Sequence, residues 1–363
     1  MKRDSRRNNI EFYNGKKVLV TGHTGFKGAW LTCILDYFGA DASGYALLPE
    51  RNCLYEQING SNIIKNYTGY LEDFEHLKGT IKLVQPEVVI HLAAYGFINE
   101  CYRDPRNAYS TNIMGTVNLL EAVRQCETIR SVVVLSTDKV YENKGDGAIY
   151  VEGDVLGGSS PYSCSKTCME FIVRDYYDTY FKEDKRKIGI GVVRASNVLA
   201  GGDHIQTRLI PSILRSIDEG IPVELRNPDQ TRPWQAVVDA LDGYLTIARY
   251  LYMQPEDYSG VWNIGPKIDG IKSVQWIFDK MVLYFNGLEK TDTKGFRVHE
   301  TATLGLDITK AMSRLDWEPR ISIDRVVELI VNFYKGQKKG RHALTLCREQ
   351  IREYYGGTEN ALE

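Results

Sequence analysis

The chain has 363 residues, 43% of them hydrophobic and 25% charged, enough apolar material for one large domain or two. A formal net charge of -2 gives no electrostatic reason to expect nucleic acid or a membrane surface as a partner. The charged N-terminus lacks an apolar secretory core, no stretch approaches the ~18 apolar residues of a membrane span, and the seven scattered cysteines carry no zinc spacing, so the expectation is a cytoplasmic protein with free thiols and no metal.

Residues 1–12 (MKRDSRRNNIEF) read as a flexible basic arm. Lys17–Thr21 (KVLVT) reads as a strand and Phe26 to about Phe38 as a helix. Ala42–Leu47 is the next strand, Glu72–Val84 a helix and Glu87–Leu92 (EVVIHL) a strand. Asn107–Gln125 is a long helix, Arg130–Ser136 a strand, Pro161–Phe181 a helix and Ile188–Arg194 a strand. Apolar strands alternating with amphipathic helices imply an α/β fold with a parallel sheet covered on both faces. Ligands of such sheets sit beyond the strand carboxyl ends. Thr21–Gly28, Ala93–Ala94 and Ser136–Lys139 all fall at such ends and are expected to line one crevice. After about residue 197 the alternation gives way to Gly-, Pro- and Arg-rich segments: GGDHIQTRLIP, RNPDQTRPW, NIGP. The expected organisation is a doubly wound, Rossmann-type dinucleotide-binding domain over 13–197, with 198–363 forming mainly a smaller substrate-binding lobe interleaved with it.

Thr21-Gly22-His23-Thr24-Gly25-Phe26-Lys27-Gly28 follows the first strand and opens a helix. Gly22 permits a tight turn, Gly25 lets backbone approach a pyrophosphate, and Gly28 allows close helix–strand packing. The helix N-terminus attracts the phosphate charge. The expected cofactor is NAD, but no Asp or Glu ends the second strand and Arg51 just beyond it could face a 2′-phosphate, so NADP stays open. His91 reads as a packed core histidine, His23 as a loop-shaping residue, and His299-Glu300 is given no role.

Tyr162-Ser163-Cys164-Ser165-Lys166 contains a Tyr-x-x-x-Lys pair. Residues four apart share a helix face, so both side chains can enter one pocket. An ammonium beside the phenol favours the phenolate and is expected to bring the tyrosine toward neutrality. Such a tyrosine can take a proton from an alcohol as a hydride leaves the same carbon. Asp138 and Lys139, directly after Thr137, add an acid/base pair that alcohol oxidation does not require.

TGHTGFKG, STDKVY, YSCSK, RASNV, RLIP, RNPDQTRPWQ and NIGP together resemble the extended short-chain dehydrogenase/reductase superfamily, and within it the CDP-glucose 4,6-dehydratase branch. The similarity runs from about Phe12 to the C-terminal CREQIREYY. The resemblance implies an oxidation centre of Thr137, Tyr162 and Lys166, and an elimination pair of Asp138 and Lys139, with acid and base unassigned between them. Gly22, Thr24, Gly25, Phe26, Lys27, Gly28, Ala93, Ala94, Tyr162 and Lys166 would hold the dinucleotide. Tyr95 and Asn99 of the sugar-facing loop, with Asn197, Arg208 and Arg232, would hold a nucleotide-diphosphate sugar. C4 oxidation, loss of water across C5 and C6, and hydride return to C6 would give a 4-keto-6-deoxy sugar. The resemblance also implies a homodimer or homotetramer built on the two long helices.

The chain departs from that pattern in several places. Gly69-Tyr70-Leu71 stands where relatives carry Gly-Asp-Ile. Ala93-Ala94-Tyr95-Gly96-Phe97-Ile98-Asn99 replaces Ala-Ala-Gln-Pro-Leu-Val-Arg. His204 stands for a Trp and Ala236 for a His. The altered sugar-facing loop keeps open a nucleotide-sugar epimerase or C4 dehydrogenase. A C5-inverting dehydratase of UDP-N-acetyl sugars also uses Thr-Asp-Lys, but its tyrosine follows closely. A non-catalytic nucleotide-binding protein would not need Thr137, Tyr162 and Lys166 together.

Overall fold

The computed structural model describes residues 5–143, 145, 147–225, 227–285, 288–292 and 304–356. His299 and Glu300 lie outside them. Five strands come early in the chain: β1 (Lys17–Thr21), β2 (Asp41–Ala46), β3 (Lys65–Thr68), β4 (Val88–His91) and β5 (Ser131–Leu135). After the short β6 (Ile149–Tyr150) follow β7 (Gly189–Ala195), β8 (Asn197–Leu199), β9 (Val223–Leu225), β10 (Thr231–Ala236), β11 (Gly260–Ile264), β12 (Ile271–Ser273), β13 (Lys290–Asp292) and β14 (Gly305–Leu306).

Among the described residues seven parallel strands build the main sheet, in the order β11-β7-β5-β4-β1-β2-β3. This is the Rossmann-type arrangement expected from the sequence. Chain direction across the sheet reverses between β1 and β4, which opens a crevice at their carboxyl ends. The register sets Thr21 beside His91 and His91 beside Val134, so the loops after β1, β4 and β5 emerge together. β4, β5 and β7 are buried throughout, because helices cover both faces. Side chains alternate between two cores: Val18, Val20, Ile90 and Val133 face one, and Leu19, Val89, Val132 and Val134 the other.

Strand positions agree with the sequence reading to within a residue or two, with one gap. β3 reads Lys-Asn-Tyr-Thr and is largely exposed, so this polar edge strand carries no apolar run to betray it. The helix foreseen over Asn107–Gln125 is instead Pro105–Tyr109, a π-turn at Ser110–Met114 and a helix at Gly115–Arg124. The helix after Pro161 likewise ends in a π-turn, Tyr177–Phe181.

The flexible arm needs correction, because residues Ser5–Tyr13 form a helix. Its buried face is polar, which hid it from a search for apolar periodicity. Asn9 donates to Asp242 Oδ1 (2.9 Å) and Thr246 Oγ1 (2.8 Å) and accepts from Arg249 Nε (3.0 Å). Tyr13 donates to the Leu245 carbonyl at 2.8 Å. Those partners all belong to the Val237–Met253 helix, which packs on β5 and β7. The later chain thus returns to the first part of the chain through that helix, through β11 at the sheet edge and through the Ala343–Tyr355 helix, which packs on Phe26–Tyr37. Asn197 on β8 and Arg232 on β10 share a small separate sheet, β12-β10-β8. Among the described residues no helix is long and apolar enough to cross a membrane.

Candidate active site

The chain leaves β1 and turns at Gly22 with φ +73°. A Cβ there would lie 2.7 Å from the Ala93 nitrogen, and one on Gly28 would lie 2.3 Å from the Gly22 carbonyl oxygen. Only glycine permits both approaches, so the loop lies flat against the start of the β4 loop. Gly25 is the N-cap of the Phe26–Tyr37 helix and supplies no side-chain cap. The first-turn amides therefore face outward with the positive end of the helix dipole, a fit for a pyrophosphate. Thr24 Oγ1 donates to the Leu47 carbonyl (3.1 Å) and ties the loop to the end of β2. His23 is buried and bonds Asn66 on β3, and burial pushes it down to about 4. Its role is to hold the loop. No carboxylate ends β2; Glu50, a few residues on, pairs with His204 at 2.9 Å.

Beneath the loop runs a buried chain of bonds. Thr116 Oγ1 donates to the Asn112 carbonyl (2.8 Å), which leaves it to accept from His91 Nε2 (3.3 Å). His91 Nδ1 then accepts from Thr21 Oγ1 (2.6 Å), and Thr21 accepts from the Ala93 amide (3.2 Å). Burial, with the Lys166 charge adding, pushes His91 down to about 3, so it stays neutral and serves packing. The π-turn places Asn112 where a regular helix would not. Asn112 Nδ2 donates to the Tyr95 carbonyl (3.1 Å) and to Ser165 Oγ (2.9 Å), and its Oδ1 accepts from the Tyr95 amide (2.8 Å). It thereby clamps the β4 loop to the helix that carries Tyr162. The sequence reading missed Asn112; its one signal is a polar residue at a buried helical position. π-turns recur at functional sites for such reasons.

Tyr162 sits in the first turn of the Pro161–Tyr176 helix. Pro161 is preset for that turn, and Ser160 and Ser163 cap it reciprocally. Thr137 lies beside the Tyr162 hydroxyl and favours its phenolate. Thr137 Oγ1 also donates to Asp138 Oδ1 (3.0 Å), and Lys139 Nζ approaches the same oxygen at 3.4 Å. Asp138 is buried, while Lys139 retains some exposure. The structure thus gathers Thr137, Asp138, Lys139 and Tyr162.

The expected pull on the phenol is not what the structure shows. Burial pushes Tyr162 up to about 12, with Asp138 and Cys101 adding to the rise and Thr137 and Arg208 opposing it. Lys166, one turn on, points its ammonium at the Leu135 carbonyl (2.5 Å) and Met169 Sδ (3.1 Å). Burial also pushes Lys166 down to about 7, with Lys27 adding and Glu170 opposing. Shared helix face put both residues on one side of the helix, but the ammonium is spent on the Leu135 carbonyl and desolvation governs the tyrosine.

Lys27 is pushed down to about 8, by burial first, then by Arg208 and Lys139, against Asp138. Arg208 lies over the Phe97 ring (5.6 Å) and pairs with Asp203 (3.1 Å). Lys139 and Lys27 lie near the Asp138 carboxylate and Arg208 near Lys27 and Tyr162, a gathering of positive groups that suits an anionic substrate. Tyr95 is half-buried, with Asn107 beside its hydroxyl, and Asn99 is exposed on the next turn. Arg232 bonds Gln230 Oε1 (2.6 Å) and the Thr231 carbonyl (3.0 Å). Asn197 lies in register with Trp234, two residues along β10 from Arg232.

Residues 19–330 match the family described as GDP-mannose 4,6 dehydratase. The chain belongs to this family. It is 38% identical over 352 residues to the CDP-glucose 4,6-dehydratase of Salmonella typhimurium, covering 96% of this chain and 98% of that protein. The dTDP-glucose 4,6-dehydratase of Bacillus anthracis, solved in complex with NAD, superposes with a TM-score of 0.73 at 23% identity, over 91% of this chain and 99% of that one. A UDP-glucose-4-epimerase from Stenotrophomonas maltophila gives 0.77 at 19% identity, over 90% and 99%. At such identities the structural likeness speaks for the fold, which dehydratases and epimerases share.

Proposed function

We propose that this chain is an NAD-dependent nucleotide-sugar 4,6-dehydratase whose substrate is CDP-glucose. The observation that carries the reading is the acid/base pair Asp138 and Lys139, held against Thr137 and Tyr162. An epimerase needs the second pair but not the first. The 38% identity to a CDP-glucose 4,6-dehydratase over nearly both whole chains supports the same reading.

The glycine loop and the amides after Gly25 would hold the pyrophosphate, with Ala93, Ala94 and Lys166 lining the nicotinamide side. The bound cofactor supplies a hydride acceptor that returns the hydride later. Thr137 orients the sugar 4-hydroxyl, and Tyr162 takes its proton. The resulting ketone acidifies H5. One of Asp138 and Lys139 removes H5 and the other protonates the departing 6-hydroxyl, as a coupled pair. Arg208, Arg232 and Asn197 hold the nucleotide diphosphate, since a guanidinium fork matches phosphate oxygens. Tyr95 and Asn99 border the sugar. Residues 198–363 contribute the substrate-binding lobe, and the working unit is a cytoplasmic homodimer or homotetramer.

The test is mass spectrometry of reactions with CDP-glucose and a panel of UDP-, dTDP- and GDP-hexoses, with and without added NAD⁺. Loss of one water from CDP-glucose is the expected result. An isomer of unchanged mass, or stoichiometric NADH, would replace this reading with an epimerase or a dehydrogenase.

A further inference from the structure

One buried cluster behind the site has no part in the chemistry above. Glu170 lies one turn beyond Lys166 on the same helix and is buried. Arg194 of β7 grips its carboxylate from two nitrogens: Nε to Oε2 at 3.0 Å and Nη2 to Oε2 at 2.7 Å, with Nε also 3.2 Å from Oε1. Ser136 Oγ, next to Thr137, donates to Glu170 Oε1. Arg194 is itself fixed by the Glu152 carbonyl (3.0 Å) and by the Tyr141 ring beneath it (4.6 Å). Tyr141 in turn donates to Asn263 of β11 at 2.7 Å.

A buried ion pair of this kind is a poor device for stability alone, since removing two charges from water offsets most of their attraction. Its placement suggests another use. Glu170 touches the strand end that carries Thr137 and Asp138, and its charge acts on the ammonium one turn away. We infer that Glu170 is a positioning residue that locks the Ser136–Asp138 strand end to the Tyr162–Lys166 helix and keeps Lys166 protonated. The inference rests on the functional reading above.

Several charged or titratable groups face Lys166. Lys27 comes from the glycine-loop helix, His91 from β4, and Glu170 from its own helix. Arg194 stands on β7 behind Glu170. Lys27 disfavours the ammonium and His91 is neutral, so Glu170 is the anion that opposes burial.

The experiment is a pH profile of turnover for Glu170→Gln beside wild type, together with the pH dependence of NADH binding followed by fluorescence, which needs no sugar turnover. The expected result is an alkaline limb displaced downward by about one pH unit in both readouts, the low end of what one opposite charge at 4–6 Å produces. Glu170→Asp, which keeps the charge, returns the limb to its wild-type position even if turnover falls. The double variant Glu170→Gln/Arg194→Gln leaves no unpaired Arg194 behind and keeps the test open should the single variant fail to fold; its limb also moves down. Limbs that superimpose on wild type, with activity merely scaled, would overturn the inference. A wild-type protein inert toward every nucleotide sugar would sink the functional reading instead, while the NADH-binding limb still tests Glu170.

Discussion

Lys139→Met separates the two halves of the proposed reaction. The substitution keeps most of the unbranched side chain and removes the ammonium that lies 3.4 Å from Asp138 Oδ1. Thr137 still lies beside Tyr162 and still donates to Asp138, so the oxidation centre keeps its contacts. Loss of one positioned proton-transfer group typically costs about 10²–10⁴ in rate, roughly 2.7–5.4 kcal/mol of barrier. The expectation is water loss slowed by that factor, with C4 oxidation within about threefold of wild type on the same argument. Stopped-flow absorbance at 340 nm with CDP-glucose should then show reduced cofactor accumulating to a plateau, because oxidation proceeds and the hydride has no acceptor to return to. Mass spectrometry of the same mixture should show little dehydrated product. Dehydration at the wild-type rate would refute the role of Lys139. Loss of the 340 nm signal as well would show that Lys139 serves oxidation or binding, and the division of labour would fall with it.

Asn112→Ala removes the clamp between the Tyr95 backbone and Ser165 and leaves buried groups without partners, a cost of about 1–3 kcal/mol; turnover should fall roughly 10- to 100-fold, and a variant with wild-type turnover would show that the π-turn does not position the site. Asn9→Ala strips three buried bonds, two of them to charged groups, for about 3–5 kcal/mol, which for a chain of this size lowers the melting temperature by roughly 4–6 °C; an unchanged melt would mean that the N-terminal helix is not anchored through Asn9. Burial holds His23 and His91 at about 4 and about 3, below their unfolded value, so the unfolded chain takes those protons first and that stability is lost as pH falls below ~6.5. Asp239 and Asp242, raised by burial to about 6, have the opposite sign: between about 6 and ~3.9 the folded protein takes the proton first and gains stability on acidification. Asp242→Asn should therefore lose stability more steeply than wild type between pH 6 and 4.5, by up to ~1.4 kcal/mol per pH unit in urea titrations; parallel slopes would refute that assignment.

The sheet was legible because each central strand is buried on both faces along most of its length and so carries an apolar run. KVLVT and SVVVL admit few other readings. The glycine loop was legible because steric exclusion acts locally: Gly22 and Gly28 answer to backbone within a few ångströms. β3 and the N-terminal helix were not legible, for a common reason. Their residues are polar, and what fixes them is a partner far along the chain. Asn66 needs His23, and Asn9 needs Asp242, Thr246 and Arg249. Periodicity reports burial against apolar surface and is silent about burial against polar surface.

The same division runs through the site. Spacing placed Tyr162 and Lys166 on one face, since a helix repeats every 3.6 residues whatever surrounds it. It gave the wrong sign for the phenol, because proton affinity depends on depth and on what each group bonds instead. Lys166 spends its ammonium on the Leu135 carbonyl, and Tyr162 feels both burial and the Asp138 carboxylate. Both facts arise from β5, a strand some thirty residues upstream that no local pattern links to YSCSK. The positive groups that oppose them come from still further apart: Lys27 from the glycine loop and Arg208 from the later chain. A tyrosine held near 12 becomes a base near neutral pH only as positive charge gathers beside it, so the groups that decide the chemistry are those that only folding brings within range.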